Sequence, residues 1–250
     1  MSDASERPLI LVTNDDGIEA NGIRHLAACM LPLGRVVVVA PDRAQSGMGH
    51  AVTINDVLTM EKRSFPLEGI EQAWQTSGTP VDCVKLAIYE ILGKKPDLLV
   101  SGVNHGSNAS INVIYSGTMS AAVEGAVEGI PSIGFSLLDH SANADFSATT
   151  PFISRIAEQV LEKGLPIGTC LNVNFPKLVT ESIKGMKVCR QSAGHWDDAF
   201  DKRTSPSGST YYWMTGNFNN PDQGEDTDEW ALRNGYVSIV PTQFDLTAHH

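Results

Sequence analysis

The chain has 250 residues, of which 42% are hydrophobic and 19% are charged, as is usual for a soluble globular protein with one sizeable core. Its formal net charge is −11 and its Lys and Arg residues form no cluster, so binding to a nucleic-acid duplex is not expected. The longest apolar run, Val36 to Ala40, is far too short to span a membrane. The start, MSDASERP, lacks the apolar segment of a secretion signal, and four scattered cysteines predict buried free thiols in a reducing compartment. We therefore expect a cytoplasmic protein with no membrane partner.

The first predicted element is a buried strand at Leu9 to Val12, which leads directly into the sequence NDDG at positions 14–17. A helix pattern begins near Gly22, so Asp15 and Asp16 lie in a turn between a strand and a helix. Open parallel α/β sheets bind ligands at that edge. Two adjacent carboxylates repel each other, and a divalent cation would offset the repulsion. NDDG is also an ordinary turn sequence, so this stretch alone does not establish a metal site.

Strand and helix patterns then alternate as far as residue 176. Buried strands are predicted at 36–39, 98–100, 131–137 and 170–176, and helices are predicted to start near Thr79, Thr118 and Thr150. Between residues 51 and 76, apolar and polar residues alternate, which predicts two or three shorter strands. This order of elements predicts an α/β fold with a doubly wound, mostly parallel sheet.

From Met186 the pattern changes. Strands or hairpin arms are predicted at 186–191 and 208–216, the stretch 195–208 is predicted to be a loop, and a short helix capped by Thr227 precedes a last strand. We expect one domain over residues 1–250, with a core at about 8–185 and a C-terminal extension at about 186–250 that packs on the core or on another subunit. The terminal histidines His249 and His250 are left out of the chemistry.

Three polar loops follow three of the predicted parallel strands, and they would open on one edge of the sheet if those strands are neighbours. The oxygen donors in these loops belong to Asp15, Asp16, Ser46 and Asn104. Such an all-oxygen set suits Mg²⁺ or Mn²⁺ and argues against a thiolate zinc site. His50 and His105 could act as ligands instead, although a hydrogen-bonding role is more common for a single loop histidine.

The residues Ser116, Gly117 and Thr118 directly precede a helix, and a helix N-terminus readily binds phosphate. Taken alone, Thr118 is better interpreted as an ordinary helix cap. The same triplet recurs at 77–79, but Pro80 removes one N–H donor there, so the triplet at 116–118 is the preferred anion site. A metal beside such a helix end describes a site for hydrolysing phosphate esters. A nucleotide-cofactor oxidoreductase is disfavoured, since no dinucleotide-binding fingerprint is present.

Several motifs in the same order resemble the SurE family, the stationary-phase-survival phosphatases. They are LVTNDDGIEANGI, VAPDRAQSGMGHAVT, TSGTPVDCV, SGVNHGSN, YSGTMSAAVEG, NVNFP and TDEWALRNGYVSIVP, spanning Leu11 to Pro241. The resemblance implies a Rossmann-like core, a metal-dependent phosphatase acting on nucleoside monophosphates, and a C-terminal extension exchanged between subunits of a homodimer or homotetramer. The family's metal ligands fall on Asp15, Asp16, Ser46 and Asn104. After Asn108, family members usually carry Leu-Gly where this chain has Ala109-Ser110.

The sequence therefore predicts a metal-dependent phosphomonoesterase acting on nucleoside monophosphates, with 5′ and 3′ esters both open as substrates. Asp15 and Asp16 are the catalytic candidates, and either could orient the attacking water or act as a nucleophile. Substrate and phosphate contacts are expected from Ser116, Gly117, Thr118, Asn14 and Asn108. The alternative is a non-catalytic nucleotide sensor that uses the same pocket. Base preference and the choice between dimer and tetramer stay open.

Overall fold

The structure is a computed structural model that describes residues 7–141 and 143–248. The first six residues and the two terminal histidines therefore lie outside the described residues. Within the described ranges, no helix is long and apolar enough to cross a membrane.

Strands alternate with helices through the first two thirds of the chain. These elements are β1 (Leu9–Thr13), α1 (Asn21–Met30), β2 (Arg35–Pro41), β3 (Met60–Lys62), β4 (Ile70–Thr76), α2 (Pro80–Leu86), β5 (Leu98–His105), α3 (Gly117–Val127), β6 (Ser132–Leu137), α4 (Thr150–Lys163) and β7 (Thr169–Phe175). The later elements are β8 (Met186–Val188), β9 (His195–Thr204), β10 (Thr210–Asn219), α5 (Asp228–Arg233) and β11 (Val237–Gln243).

Nine of the described strands form one sheet in the order β3-β4-β2-β1-β5-β6-β7-β11-β8. The six strands from β4 to β7 in this order run parallel, whereas β3 and β11 pair antiparallel with their neighbours β4 and β7. The predicted doubly wound, mostly parallel α/β sheet is thereby confirmed. Strand β1 lies at the centre, between β2 and β5.

Strands β1 and β2 carry continuous apolar runs at Leu9 to Val12 and Val36 to Ala40, because both faces of the sheet are covered. Successive side chains point to opposite faces, so Ile10 and Val12 pack with helices α1 and α4 on one side. Leu9 and Leu11 pack on the other side with residues of α2 and α3. Helix α2 begins with the predicted cap, since the Thr79 hydroxyl accepts a hydrogen bond from the Asp82 N–H. All four cysteines are free and buried, as predicted.

The region between residues 51 and 76 forms two strands, β3 and β4, and residues 51–55 form none. The prediction of two or three shorter strands is confirmed with two, and residues 51–55 lie outside them. There the N–H and hydroxyl of Thr53 donate to the Asp82 carboxylate at 3.1 and 2.6 Å. The Asp82 side chain at the start of α2 thus accepts hydrogen bonds that a neighbouring strand would otherwise accept.

The C-terminal part divides between the main sheet and a separate hairpin. Strands β8 and β11 extend the sheet beyond β7, while β9 and β10 form a two-stranded antiparallel sheet of their own. The prediction of a loop at 195–208 was wrong, because residues 195–204 form β9. The segment HWDDAFDKRT is polar because most of the hairpin is exposed, so its strand character depends on pairing with β10, residue by residue from His195–Asn219 to Thr204–Thr210. We call this hairpin, residues 195–219, the arm.

Candidate functional site

The polar loops expected to converge do so because their strands are neighbours. Asp15 and Asp16 follow β1, Ser46 follows β2, and Asn104 is the second-to-last residue of β5. Strand β1 lies between β2 and β5. Parallel strands bring their carboxyl ends to one edge of the sheet. Backbone hydrogen bonds tie the loops together, since the Gln45 N–H donates to the Asp15 carbonyl at 2.7 Å.

Asn14 shapes the first loop and does not line the cleft described below. Its side-chain N–H donates to the Gly17 carbonyl at 2.9 Å, and its side-chain oxygen accepts the Gly17 N–H at 3.2 Å. Both ends of the buried amide are thus used to close the turn that presents the two carboxylates. The contact of Asn14 with substrate stays a prediction.

Asp15 is a buried carboxylate, only 4% exposed, held between a strand end and a helix start. The Thr118 hydroxyl donates to its Oδ1 at 2.5 Å. The first residue of α3 lies against it so closely that a Cβ on Gly117 would be 2.7 Å from the Asp15 Cβ. Burial, followed by the negative charge of Asp16, raises the pKa of Asp15 to about 6, and the Thr118 hydrogen bond opposes that rise. A cation bound here would lower the free-energy cost of keeping the Asp15 carboxylate ionised.

Asp16 is paired with a histidine from the neighbouring loop. Its Oδ2 lies 3.1 Å from Nδ1 of His105, and both side chains are largely buried. The His105 ring packs edge-on against Phe146, with ring centroids 5.1 Å apart. His50 likewise contacts a carboxylate, with its Nε2 2.9 Å from Oε2 of buried Glu124. Both histidines therefore form hydrogen bonds to carboxylates.

Asn104 presents its amide oxygen as the free end of the side chain. Its Nδ2 donates to the carbonyls of His105 and Gly106 at 3.2 and 3.0 Å. Two carbonyl acceptors fix which end is nitrogen, so Oδ1 points away from them. The pairing of β5 with β6 shifts register between Ser101 and Asn104, an irregularity that redirects side chains at the end of a strand.

The donor set fits a hard divalent cation of the kind expected. Nowhere in residues 7–141 and 143–248 do three or more His, Cys, Asp or Glu side chains form a group that could hold a metal. A metal here would rely on the carboxylates of Asp15 and Asp16 together with oxygens of Ser46 and Asn104. Mg²⁺ and Mn²⁺ accept such mixed oxygen ligands and commonly retain water as well.

The three residues at the start of α3, Ser116, Gly117 and Thr118, have different contacts. Ser116 is the helix cap, accepting the Met119 N–H at 3.0 Å, and it lines the cleft. Thr118 is fully buried and donates to Asp15, so its hydroxyl faces a carboxylate where an anion contact was expected. Gly117 allows the helix to approach Asp15. In the triplet at 77–79, Thr79 forms a cap with Asp82, and this triplet is not part of the cleft.

A cleft of about 670 Å³ opens beside these groups and is large enough for a small-molecule ligand. The sequence-predicted residues that line it are Asp15, Ser46, Asn104, Asn108 and Ser116. Asn108 is buried at its base, where its Nδ2 donates to Ser136 Oγ at 2.7 Å. Sequence reasoning missed the aromatic residues of the cleft, which are Tyr115, Trp196 and Phe218. The signal for the last two was their cross-strand pairing, which was hidden when residues 195–208 were interpreted as a loop.

Comparisons with known proteins identify the family of this chain. The family model described as Survival protein SurE matches residues 10–198. The chain is 64% identical to a protein of Flavobacterium psychrophilum named 5'-nucleotidase SurE, over 98% of this chain and 95% of that protein. It is 43% identical to a protein of the same name from Syntrophomonas wolfei, covering 96% and 90% of the two chains. The crystal structure of the SurE protein from Aquifex aeolicus matches with a TM-score of 0.83 and 42% identity, covering 97% of this chain and 96% of that one. This chain belongs to the SurE family.

Proposed function

We propose that this protein is a metal-dependent phosphomonoesterase that hydrolyses nucleoside monophosphates to nucleoside and phosphate. The observation that carries the proposal is the meeting, in one cleft, of Asp15 with the N-terminus of α3 at Ser116, while Asp16 lies next to Asp15 in the chain and pairs with His105 of the cleft lining. Family membership and the relatives named 5'-nucleotidase support a nucleotide 5′-ester as the first substrate to test. Hydrolysis of 3′-nucleotides is the second.

Asp15, Asp16, Ser46 and Asn104 would hold Mg²⁺ or Mn²⁺. When bound, the metal supplies charge that stabilises phosphoryl oxygens and acidifies a nearby water. The protein's own part is to keep the ligands in place. Thr118 fixes one oxygen of Asp15, and His105 fixes one oxygen of Asp16.

The phosphate would be held at the start of α3. The bond from the Met119 N–H uses a lone pair of Ser116 Oγ, so the Ser116 hydroxyl hydrogen can donate to a phosphate oxygen in the cleft. The helix N-terminus adds a partial positive charge at the same place. A phosphate held at the start of α3 would lie next to Asp15, because Gly117 packs against the Asp15 side chain.

Phosphate release from a nucleoside 5′-monophosphate by metal-stripped protein, with and without added Mn²⁺ or Mg²⁺, tests the proposal. We expect release only with metal, and a loss of more than about tenfold in rate for Asp15→Asn, which is about 1.4 kcal/mol of barrier. Unchanged turnover in a folded Asp15→Asn protein would show that Asp15 is not a metal ligand. Nucleotide binding by calorimetry without any hydrolysis would favour the nucleotide sensor.

We also propose that the arm is exchanged between subunits of a homodimer or homotetramer. In the single chain the arm leaves large apolar side chains in solvent, including Phe200, Tyr212, Trp213 and Met214. A lone two-stranded hairpin is marginally stable in water and gains from a covering surface. A second copy of the chain provides that surface by symmetry.

A further inference from the structure

Three aromatic side chains line the same cleft as Asp15 and Ser116. Trp196 and Phe218 lie opposite each other on β9 and β10, with ring centroids 5.6 Å apart and planes inclined at 61°. Tyr115 comes from a different part of the chain and directly precedes Ser116. Two separate elements thus place aromatic surface beside the phosphate-binding helix end.

The rings are held in place while much of their surface stays open. Trp196 is 42% exposed and Tyr115 is 52% exposed. The Trp196 indole N–H donates to Asn112 Oδ1 at 2.8 Å, which fixes the ring and satisfies its polar edge. An exposed aromatic ring with a fixed orientation is suited to stacking, because the ligand need not order the ring when it binds.

The root of the arm is fastened to the loop that forms the base of the cleft. Ser110 Oγ donates to the Ser192 carbonyl at 3.0 Å and accepts the Gly194 N–H at 3.0 Å. The buried Asp228 carboxylate accepts the N–H groups of Ser110 and Ser192 at 2.7 and 3.0 Å. These bonds hold Trp196 at a set position relative to the loop, which also carries Asn108.

We propose that Trp196, Phe218 and Tyr115 form the subsite that receives the nucleobase, which stacks on their rings while the phosphate lies at Ser116. The proposal rests on the proposed function, since it assigns the base-binding part of the same site. Every nucleobase has a π face, so stacking tolerates purines and pyrimidines alike. The subsite therefore favours nucleotides over other phosphate esters with little choice among bases.

The test compares a nucleoside 5′-monophosphate with ribose 5-phosphate, which has the same sugar and phosphate but no base. For Trp196→Ala and for Tyr115→Ala we expect KM for the nucleotide to rise by about tenfold, with KM for ribose 5-phosphate and both kcat values nearly unchanged. Trp196→Phe should retain most of the nucleotide affinity. The matched control is Tyr89→Ala, since Tyr89 is an exposed aromatic residue outside both the arm and the cleft, and it should leave both KM values unchanged.

Equal changes in KM for the two substrates, or no change for either, would overturn the subsite. Tyr115 is not part of the arm, so an effect of Tyr115→Ala on KM cannot come from misfolding of the arm. If the wild-type protein hydrolyses neither substrate, the proposed function fails, while the subsite is still tested by calorimetry. In that case the Trp196→Ala change should weaken binding of the nucleotide and leave binding of ribose 5-phosphate unaltered.

Discussion

Replacing Thr118 by valine distinguishes a support for the metal ligand from a direct contact with phosphate. Valine keeps the shape of threonine and removes the hydroxyl that donates to Asp15 Oδ1. Both residues are buried, so water cannot readily replace the lost donor. The carboxylate, whose pKa is already raised to about 6, becomes still harder to keep ionised.

The size of the effect follows from the kind of bond. A hydrogen bond to a charged group contributes about 1.5–3 kcal/mol, and each ~1.4 kcal/mol is a factor of ten in binding. Loss of a group that supports a metal ligand commonly costs about 10- to 100-fold in metal affinity. We therefore expect Thr118→Val to need about 10- to 100-fold more Mn²⁺ for half-maximal phosphate release.

The assay is a Mn²⁺ titration of phosphate release at saturating nucleotide, with folding checked by circular dichroism. Thr118→Ser retains the hydroxyl and should stay near the wild-type metal requirement, while Ser77→Ala alters the other Ser-Gly-Thr triplet and should have no effect. An unchanged metal requirement together with a higher KM for nucleotide and weaker inhibition by free phosphate would refute the reasoning. That result would mean that the hydroxyl binds the substrate.

Three further outcomes are expected. Ser110 has a left-handed backbone with φ of 55° and its side chain makes two hydrogen bonds, so Ser110→Ala should lower the free energy of unfolding in urea by ~1–3 kcal/mol. Ser110→Gly should lower it by about 1 kcal/mol less, because glycine removes the backbone strain. Equal losses for the two variants would contradict this. Light scattering at micromolar concentration should show a dimer or tetramer, and deletion of residues 205–219 should give monomer or aggregate, whereas a monomeric wild-type chain would exclude arm exchange. Burial raises the pKa of the Cys83 and Cys170 thiols to about 12, so Ellman's reagent should label no thiol quickly in the native protein and all four after unfolding; rapid labelling of the native protein would be the contrary result.

The core of the fold was predictable because its strands are buried on both faces. Runs such as Val36 to Val39 are apolar at every residue, so they are easily recognised as buried strands, and turn residues mark their ends. The arm was harder to predict, because a strand that is exposed on both faces carries no apolar periodicity. The segment from His195 to Thr204 looks like a loop until its partner strand is considered, and that partner follows a turn at 205–209.

The site was predictable where it depends on where strands end. Asp15 and Ser46 follow parallel strands and Asn104 lies at the end of one, and the strand order decides that they line one cleft. The direction of each hydroxyl or amide was not predictable, because it depends on contacts distant in sequence. Thr118 turns to a carboxylate 103 positions earlier in the chain. Asn14 fits the turn interpretation of NDDG given by the sequence, since its partner Gly17 is only three positions away.

The C-terminal part of the chain completes the cleft as well as extending the sheet. Asp228 is fully buried, and its carboxylate accepts N–H groups from Ser110, Ser192 and Glu229. As the first residue of α5 it is also stabilised by the helix N-terminus. A buried carboxylate with these donors resists rearrangement, because moving any one segment leaves a charge with fewer partners. The base of the cleft and the root of the arm therefore move together. A change in how the arm is covered by another subunit would be transmitted to Trp196, so assembly and nucleotide affinity are expected to be linked.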